Sequence, residues 1–404
     1  MMKACGVIVE YNPFHNGHQF HLEQSRQQSG ADCLIAIMSG NFLQRGEPAI
    51  IDKWHRAKAA LQSEADLVLE LPYIYAVEHS DYFSQGAVQT LSEMGVEAIC
   101  FGSESGEINQ FLEAHEHLKR NEGLFNETVK KQLSEGLSFP EASRLGYKAI
   151  ELPTESIDLT QPNNILGYSY VKQILLYNDN IAPMTVKRTN SHYHDDTIAG
   201  DIASATSIRK ELLKDHCFTE NASKSMPKVT EDQLNKYREK THLWHEWERY
   251  FHFLQYKILT TPEHELRKIH GVDEGLEHRL KRTIKRAASF DKFMEALKTK
   301  RYTWTRLQRT LVHILIGTGK EEASSLLRLP QPPYVRVLGM NKTGREYLNT
   351  CKKQMDIPLI TQPQQIDHSM LDLEERAATA YYSVLDAENR VKMFQREFGP
   401  PIRI

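Results

Sequence analysis

Cys5-Gly6-Val7-Ile8-Val9-Glu10-Tyr11-Asn12-Pro13-Phe14-His15-Asn16-Gly17-His18 is the stretch on which the reading of this chain turns. Gly6 to Val9 is apolar, β-branched and bounded by turn residues, the pattern of a buried parallel strand. Asn12-Pro13 ends that strand, because proline cannot donate to a ladder and restricts the residue before it. Asn16-Gly17 then opens a helix through Phe20, Leu22 and Ser25, which puts His15 and His18 at the helix's N-terminal end. Free backbone N–H groups and the positive pole of the dipole at such an end attract phosphate. Two imidazoles there add donors for negative charge developing on a phosphoryl group.

Outward from this unit, strands and helices alternate. Cys33 to Met38 is a second apolar run, followed by the loop Ser39 to Pro48. Asp52 caps a helix through Trp54, Ala57 and Leu61, and Ala65 to Leu71 is a third strand. A helix over 80–94 leads to a fourth strand, Val96 to Phe101, ending in Gly102-Ser103-Glu104. Residues 106–150 lose the strand signals and read as a helical insertion. Pro162-Asn163-Asn164 heads a further helix, Met184 to Lys187 is a strand ending at Arg188, and Ser204-Ala205-Thr206-Ser207-Ile208-Arg209-Lys210 is a hydroxyl-rich turn starting another helix. The expected fold is an α/β, doubly wound parallel sheet with its ligand beyond the carboxyl ends of the strands. His192 and His194 read as part of a hydrogen-bonded loop, with no third ligand evident for a metal.

The pattern changes after about residue 215. Residues 219–240 are polar and read as a linker, and Trp244 to Ile316 is helical throughout. Tyr334 to Met340 and Ile357 to Thr361 form a small late α/β element with the helices around them. The expected division is therefore 1–215, nucleotide-handling, and 216–404, mainly helical. Charge divides the same way: residues 1–215 hold 18 Lys+Arg and 29 Asp+Glu, and the remainder 32 and 24. Residues 279–310 carry 11 Lys+Arg with Tyr302 and Trp304 among them, a pattern suited to phosphate neutralisation and base stacking. Lys281, Arg282, Lys285, Arg286, Lys298, Lys300 and Arg301 are the candidate RNA contacts. Five scattered cysteines without a C-x-x-C pair argue against a disulfide framework or zinc ribbon. No run approaches the roughly 20 apolar residues of a membrane span, and a cytoplasmic protein is expected.

His15-Asn16-Gly17-His18 resembles the HIGH motif of the nucleotidyltransferases, and Ser204 to Arg209 resembles their second signature, at the position occupied elsewhere by KMSKS. Together with Met38-Ser39-Gly40-Asn41-Phe42, Arg45-Gly46-Glu47-Pro48, Pro162 to Gly167 and Val335 to Gly339, these stretches resemble the bacterial tRNA(Met) cytidine acetate ligases over nearly the whole chain. The resemblance implies that acetate attacks the α-phosphate of ATP, giving acetyl-adenylate and pyrophosphate. The N4 amine of the wobble cytidine of elongator tRNA(Met) then takes the acetyl group. It implies no membrane and no DNA partner.

The resemblance places the ATP site on Val7, Ile8, Val9, Glu10, Tyr11, Asn12, Pro13, Phe14, His15, Asn16, Gly17, His18, Gln19 and Phe20. To these it adds Gly102, Asn163 or Asn164, and Arg188, and Ser207 from the second signature. His15, His18 and Arg209 are the expected catalytic residues. Arg209 and Lys210 would hold the outgoing phosphates, with Mg²⁺ sharing that charge. No protein metal site and no acetate pocket is legible. Two rivals share these motifs: a small-molecule adenylyltransferase of cofactor biosynthesis, and an RNA-binding protein that has lost activity.

Overall fold

The structure is a computed structural model that describes residues 2–152, 157–188, 203–215 and 217–404. Five strands run parallel: β1 (Ala4–Val9), β2 (Cys33–Ser39), β3 (Leu67–Leu71), β4 (Ala98–Ser103) and β5 (Ala182–Lys187). Their order, β5-β4-β1-β2-β3, places β1 between β2 and β4. The chain winds away from β1 in both directions, so a crevice opens beyond its carboxyl end. Every residue of β2 and β3 is buried, as near-continuous apolar runs in a parallel sheet require.

The late strands extend this same sheet. β6 (Val335–Met340) pairs antiparallel with β3, and β7 (Leu359–Ile360) and β8 (Ile402–Arg403) both pair with β6. Buried charge marks the seam. Glu70 of β3 meets Lys53 Nζ at 2.5 Å and Arg336 of β6 at 2.8 Å, and Lys53 also reaches Glu397 at 2.7 Å. Glu374 lies beside them. Burial first, and the neighbouring Glu70 charge second, push its carboxyl up to about 8.

The insertion after β4 is helical, as expected, with helices Ile108–Arg120, Glu122–Ser134 and Phe139–Ala149. Residues 219–240 are not a linker. Thr219 caps a short helix, Glu220–Lys224, and Lys228–Thr241 buries Leu234 and Tyr237 completely. Its hidden face is largely polar, with Thr230 and Gln233 buried too, so hydrophobicity alone does not reveal it. Helices Trp247–Thr260, Leu276–Ile284, Phe290–Leu297 and Trp304–Ile316 form the basic helical part.

Glycine fixes how that part meets the sheet. Gly46, in the loop after β2, has φ +72, and a Cβ there would lie 2.2 Å from the backbone nitrogen of Arg309. The Gly46 carbonyl accepts a hydrogen bond from Trp247 Nε1 at 2.8 Å. Four of the five cysteines, Cys5, Cys33, Cys100 and Cys351, are buried thiols, and all five are free. Among the described residues no helix is long and apolar enough to cross a membrane. The loop containing His192 and His194 lies outside the described residues.

Candidate active site

His15 is the N-cap of the helix Asn16–Ser29. The Gly17 N–H donates to His15 Nδ1 at 3.0 Å, and the His15 N–H donates to His18 Nδ1 at 3.3 Å. Both Nδ1 atoms are thereby acceptors, so each neutral ring carries its proton on Nε2. The rings stack at 3.7 Å between centroids. Burial, with Arg188 and Arg209 adding repulsion, pushes His15 down to about 3. His18 is held well below its usual range by burial, then by His15 and Arg188. Around neutral pH the pair is uncharged, and its Nε2–H groups are donors whose tautomer the backbone has already selected.

Arg56 positions the loop they stand on. Fully buried, it donates to the carbonyls of Ile51 (3.1 Å), Glu10 (2.6 Å) and Ser39 (3.1 Å), and to that of Gly40. The chain ends beyond β1 and β2 are thus tied to one guanidinium. Tyr11 adopts a left-handed backbone conformation (φ 51), one that non-glycine residues adopt only when their surroundings impose it, and its ring is buried. The helix start is braced from a distant segment: Asn16 Nδ2 donates to Lys224 O at 2.8 Å, and the Asn16 N–H to Ser225 O at 3.1 Å.

These groups face a cavity of about 1050 Å³. From the first motif, Ile8, Val9, Glu10, Asn12, His15, Gly17, His18 and Phe20 line it. Val7, Tyr11 and Phe14 point into the core instead. Pro13, Asn16 and Gln19 do not reach the cavity wall, and Gln19 bonds Glu23. Gly102 lines the cavity, and a Cβ there would make only ordinary contact with Arg188 at 3.5 Å, so its smallness leaves room for a ligand.

The two asparagines separate. Asn164 is buried, accepting from the N–H groups of Glu104 and Ser105 and donating to Asp158 O. Asn163 lines the cavity and accepts from Arg188 at 3.3 Å. The Glu104 carboxylate already occupies the N-terminus of helix Pro162–Tyr177, bonding both asparagine N–H groups.

In the second signature Ser204 caps helix Ala205–Asp215 through the Ser207 N–H, and Ser207 Oγ donates back to Ser204 O at 2.9 Å. Ser207 is buried and does not line the cavity; Ser204, Thr206 and Arg209 do. Arg209 bonds Asn12 O at 2.8 Å and Glu47 at 3.1 Å, joining the two signatures. Lys210 is exposed, away from the cavity wall.

The basic cluster divides as well. Arg279 bonds the carbonyls ending helix Phe290–Leu297, and Lys281 bonds Leu259 O at 2.8 Å, so both serve as helix C-caps. Arg282, Lys285, Arg286, Lys298 and Lys300 are exposed. Arg301 pairs with Glu274 and reaches the cavity rim. Tyr302 is no stacking platform: it is buried, with Arg306 over its ring at 4.7 Å. An exposed aromatic does stand at the cavity wall, Phe139 of the insertion.

Another part of the cavity lining contains residues the sequence does not mark as a site. Gln44 joins the two sides: its N–H donates to Glu10 Oε1 (2.8 Å), its Nε2 to Glu78 O (3.1 Å), and its carbonyl accepts from Arg309 (3.2 Å). Glu78, His270 and His313 converge, their nearest donor atoms all within 4.8 Å. Two histidines and a carboxylate match a catalytic zinc set in kind. Here, however, His270 Nε2 and Glu78 Oε1 are hydrogen-bonded to each other. Burial, which raises the Glu78 pKa, is outweighed by His270 and His313, and the carboxyl is held at about 2. Gln44 sits in the loop Ser39 to Pro48, next to the motif that begins at Arg45. For His270, 192 positions from its partner, nothing local signals a role.

The HIGH Nucleotidyl Transferase family model matches residues 2–397. A tRNA(Met) cytidine acetate ligase of Oceanobacillus iheyensis is 51% identical over 403 residues, all of both chains. The chain belongs to this ligase family. The Bacillus subtilis ligase is 44% identical over 406 residues, covering all of this chain and 97% of its own. Among solved structures, Thermotoga maritima TmcAL without ligand matches at TM-score 0.92 and 32% identity over the whole of both chains. The same protein bound with alpha-thio ATP matches at 0.89 and 31%, over all of this chain and 99% of that one. The ligase family's fold and its two motifs, expected from the sequence, are those of this chain.

Proposed function

We propose that this protein is an ATP-dependent ligase that joins acetate to the N4 amine of the wobble cytidine of elongator tRNA(Met). In the first half-reaction acetate attacks the α-phosphate, and pyrophosphate leaves. The observation that carries this reading is the stacked His15–His18 pair, two neutral Nε2–H donors fixed at a helix N-terminus within one large cavity. Donors already oriented need no reorganisation as charge builds on the phosphoryl oxygens. Arg209 and Arg188 would balance the triphosphate, and Gly102 and Asn163 would meet the nucleoside. Mg²⁺ would travel with the phosphates. Among the described residues, Glu47 is paired with Arg209 and Glu10 with the Gln44 N–H, which suits a cation carried by the phosphates more than one held by these carboxylates.

The cavity, about 1050 Å³, is at the upper end of ordinary ligand sites. That volume supports a reaction in which a nucleotide and a base meet. Transfer of the acetyl group to N4 then releases AMP. The tRNA would be gripped by the exposed Arg282, Lys285, Arg286, Lys298 and Lys300, with Arg301 at the rim, while residues 1–215 handle ATP and acetate. The names of the relatives favour this over either rival, and a cytoplasmic location follows from a tRNA substrate.

Mass spectrometry of tRNA(Met) after incubation with ATP and acetate tests the proposal. N4-acetylcytidine at the wobble position, dependent on both small molecules, is the expected product. Pyrophosphate release that needs a phosphorylated small molecule instead of acetate would overturn it.

A further inference from the structure

We propose that His270, oriented by Glu78, is the base that takes the proton from the cytidine N4 amine during acetyl transfer. The inference rests on the ligase reading above and concerns its second half-reaction. An exocyclic amine that attacks the acetyl-adenylate carbonyl forms the new N–C bond as the C–O bond to phosphate breaks. AMP leaves as a stable anion and needs no proton, but the nitrogen must lose one. A neutral imidazole with a free ring nitrogen suits that task.

The geometry leaves His270 one such nitrogen. Its Nε2 is hydrogen-bonded to the Glu78 carboxylate and donates there, so Nδ1 is the accepting nitrogen of the uncharged ring. The imidazolium formed on accepting a proton stays against the same carboxylate. The arrangement is a base held by a carboxylate partner, as in hydrolytic triads. Its surroundings are built to hold Glu78: the His313 ring is edge-on to His270 at 4.8 Å, and His313 Nε2 lies 3.8 Å from Glu78 Oε1. On its other side His313 Nδ1 is bonded to the Tyr73 hydroxyl at 2.8 Å. The charged and titratable groups facing the dyad are Tyr73, His79, His313 and Arg309.

Placement supports the role. His270 is a quarter exposed and lines the cavity, whereas His313 is buried behind it. Gln44 links the dyad to the adenylation loop, since its N–H bonds Glu10 and its side-chain amide bonds the Glu78 carbonyl. The same cavity is lined by His15 and His18, so the two half-reactions would share one cavity.

The test separates the half-reactions. ATP–pyrophosphate exchange with acetate, without tRNA, reports adenylation. Single-turnover acetylation of tRNA(Met) by enzyme preloaded with acetyl-adenylate reports transfer. His270→Gln keeps an amide N–H for Glu78 but has no proton-accepting nitrogen. It is expected to exchange within threefold of wild type and to transfer about 100-fold or more slowly. The wild-type rise of transfer rate with pH should vanish in His270→Gln. Imidazole added to His270→Ala should restore part of the rate. Transfer by His270→Gln at the wild-type rate, or with the wild-type pH profile, overturns the proposal. So does an equal fall in both half-reactions, which would mean a structural role. Wild-type enzyme without acetate-dependent exchange would instead refute the ligase reading itself.

Discussion

Replacing His15 separates what this residue does for the helix from what it does for phosphate. As the N-cap it accepts the Gly17 N–H at 3.0 Å, and as a donor it offers Nε2–H to the cavity. Asparagine places a carbonyl oxygen near the position of Nδ1, while its Nδ2–H₂ stops short of Nε2, so His15→Asn retains the cap and loses the donor at that point. His15→Ala removes both. Losing one fixed donor to a developing oxyanion costs about 2.7–4 kcal/mol, a fall of roughly 10²–10³ in rate. Losing a cap costs about 1 kcal/mol of stability. Both variants should therefore lose ATP–pyrophosphate exchange by that factor, and only His15→Ala should unfold at lower urea. If His15→Asn exchanged within threefold of wild type, the histidine would be a capping residue alone.

Gly46→Ala should destabilise the fold by more than a typical surface substitution, because it adds both left-handed strain and a 2.2 Å clash with the backbone at Arg309; an unchanged urea midpoint would contradict this. Glu374 has a raised pKa, so the native state holds a proton that the unfolded chain releases, and wild-type stability should fall as pH rises from about 4.5 toward about 8. Glu374→Gln should flatten that slope in urea titrations across this window, and parallel curves for the two proteins would refute the assignment. Changing Arg282, Lys285 and Arg286 to glutamate should weaken tRNA binding and lower its salt slope by about three, while leaving tRNA-free exchange intact. Unaltered binding would move the RNA site elsewhere.

What could be read from the residues follows the range of the forces involved. The β1–loop–helix unit is local: an apolar run, a proline stop and a helix start lie within a few residues, and the structure has each in place. His15 and His18 were legible for the same reason. Ser207 turns away from the cavity, and of the alternatives Asn163 and Asn164 it is Asn163 that lines it, because a hydroxyl or amide in a motif can serve its own backbone as readily as a ligand, and spacing does not distinguish the two. Tyr302 read as a stacking residue because its hydroxyl's partners, in the turn at Asp273 and Glu274, are far from it in the chain and leave no mark on its neighbours. The Glu78–His270 pair and the antiparallel joining of β6 to β3 depend on contacts between segments far apart in the chain.

That joining has a consequence for how the protein is made. As the chain emerges from the ribosome, β3 appears early, yet the strand that covers its edge comes some 270 residues later. Until then Glu70 lacks Arg336, and Lys53 lacks Glu397. An uncovered edge strand carrying half of a buried charge network is a site for mispairing. A fragment ending near residue 215 should therefore be insoluble rather than a free-standing adenylating enzyme. The proposed adenylating site would then be completed only after the segment carrying Arg282 to Arg301, proposed to grip the tRNA, has been synthesised.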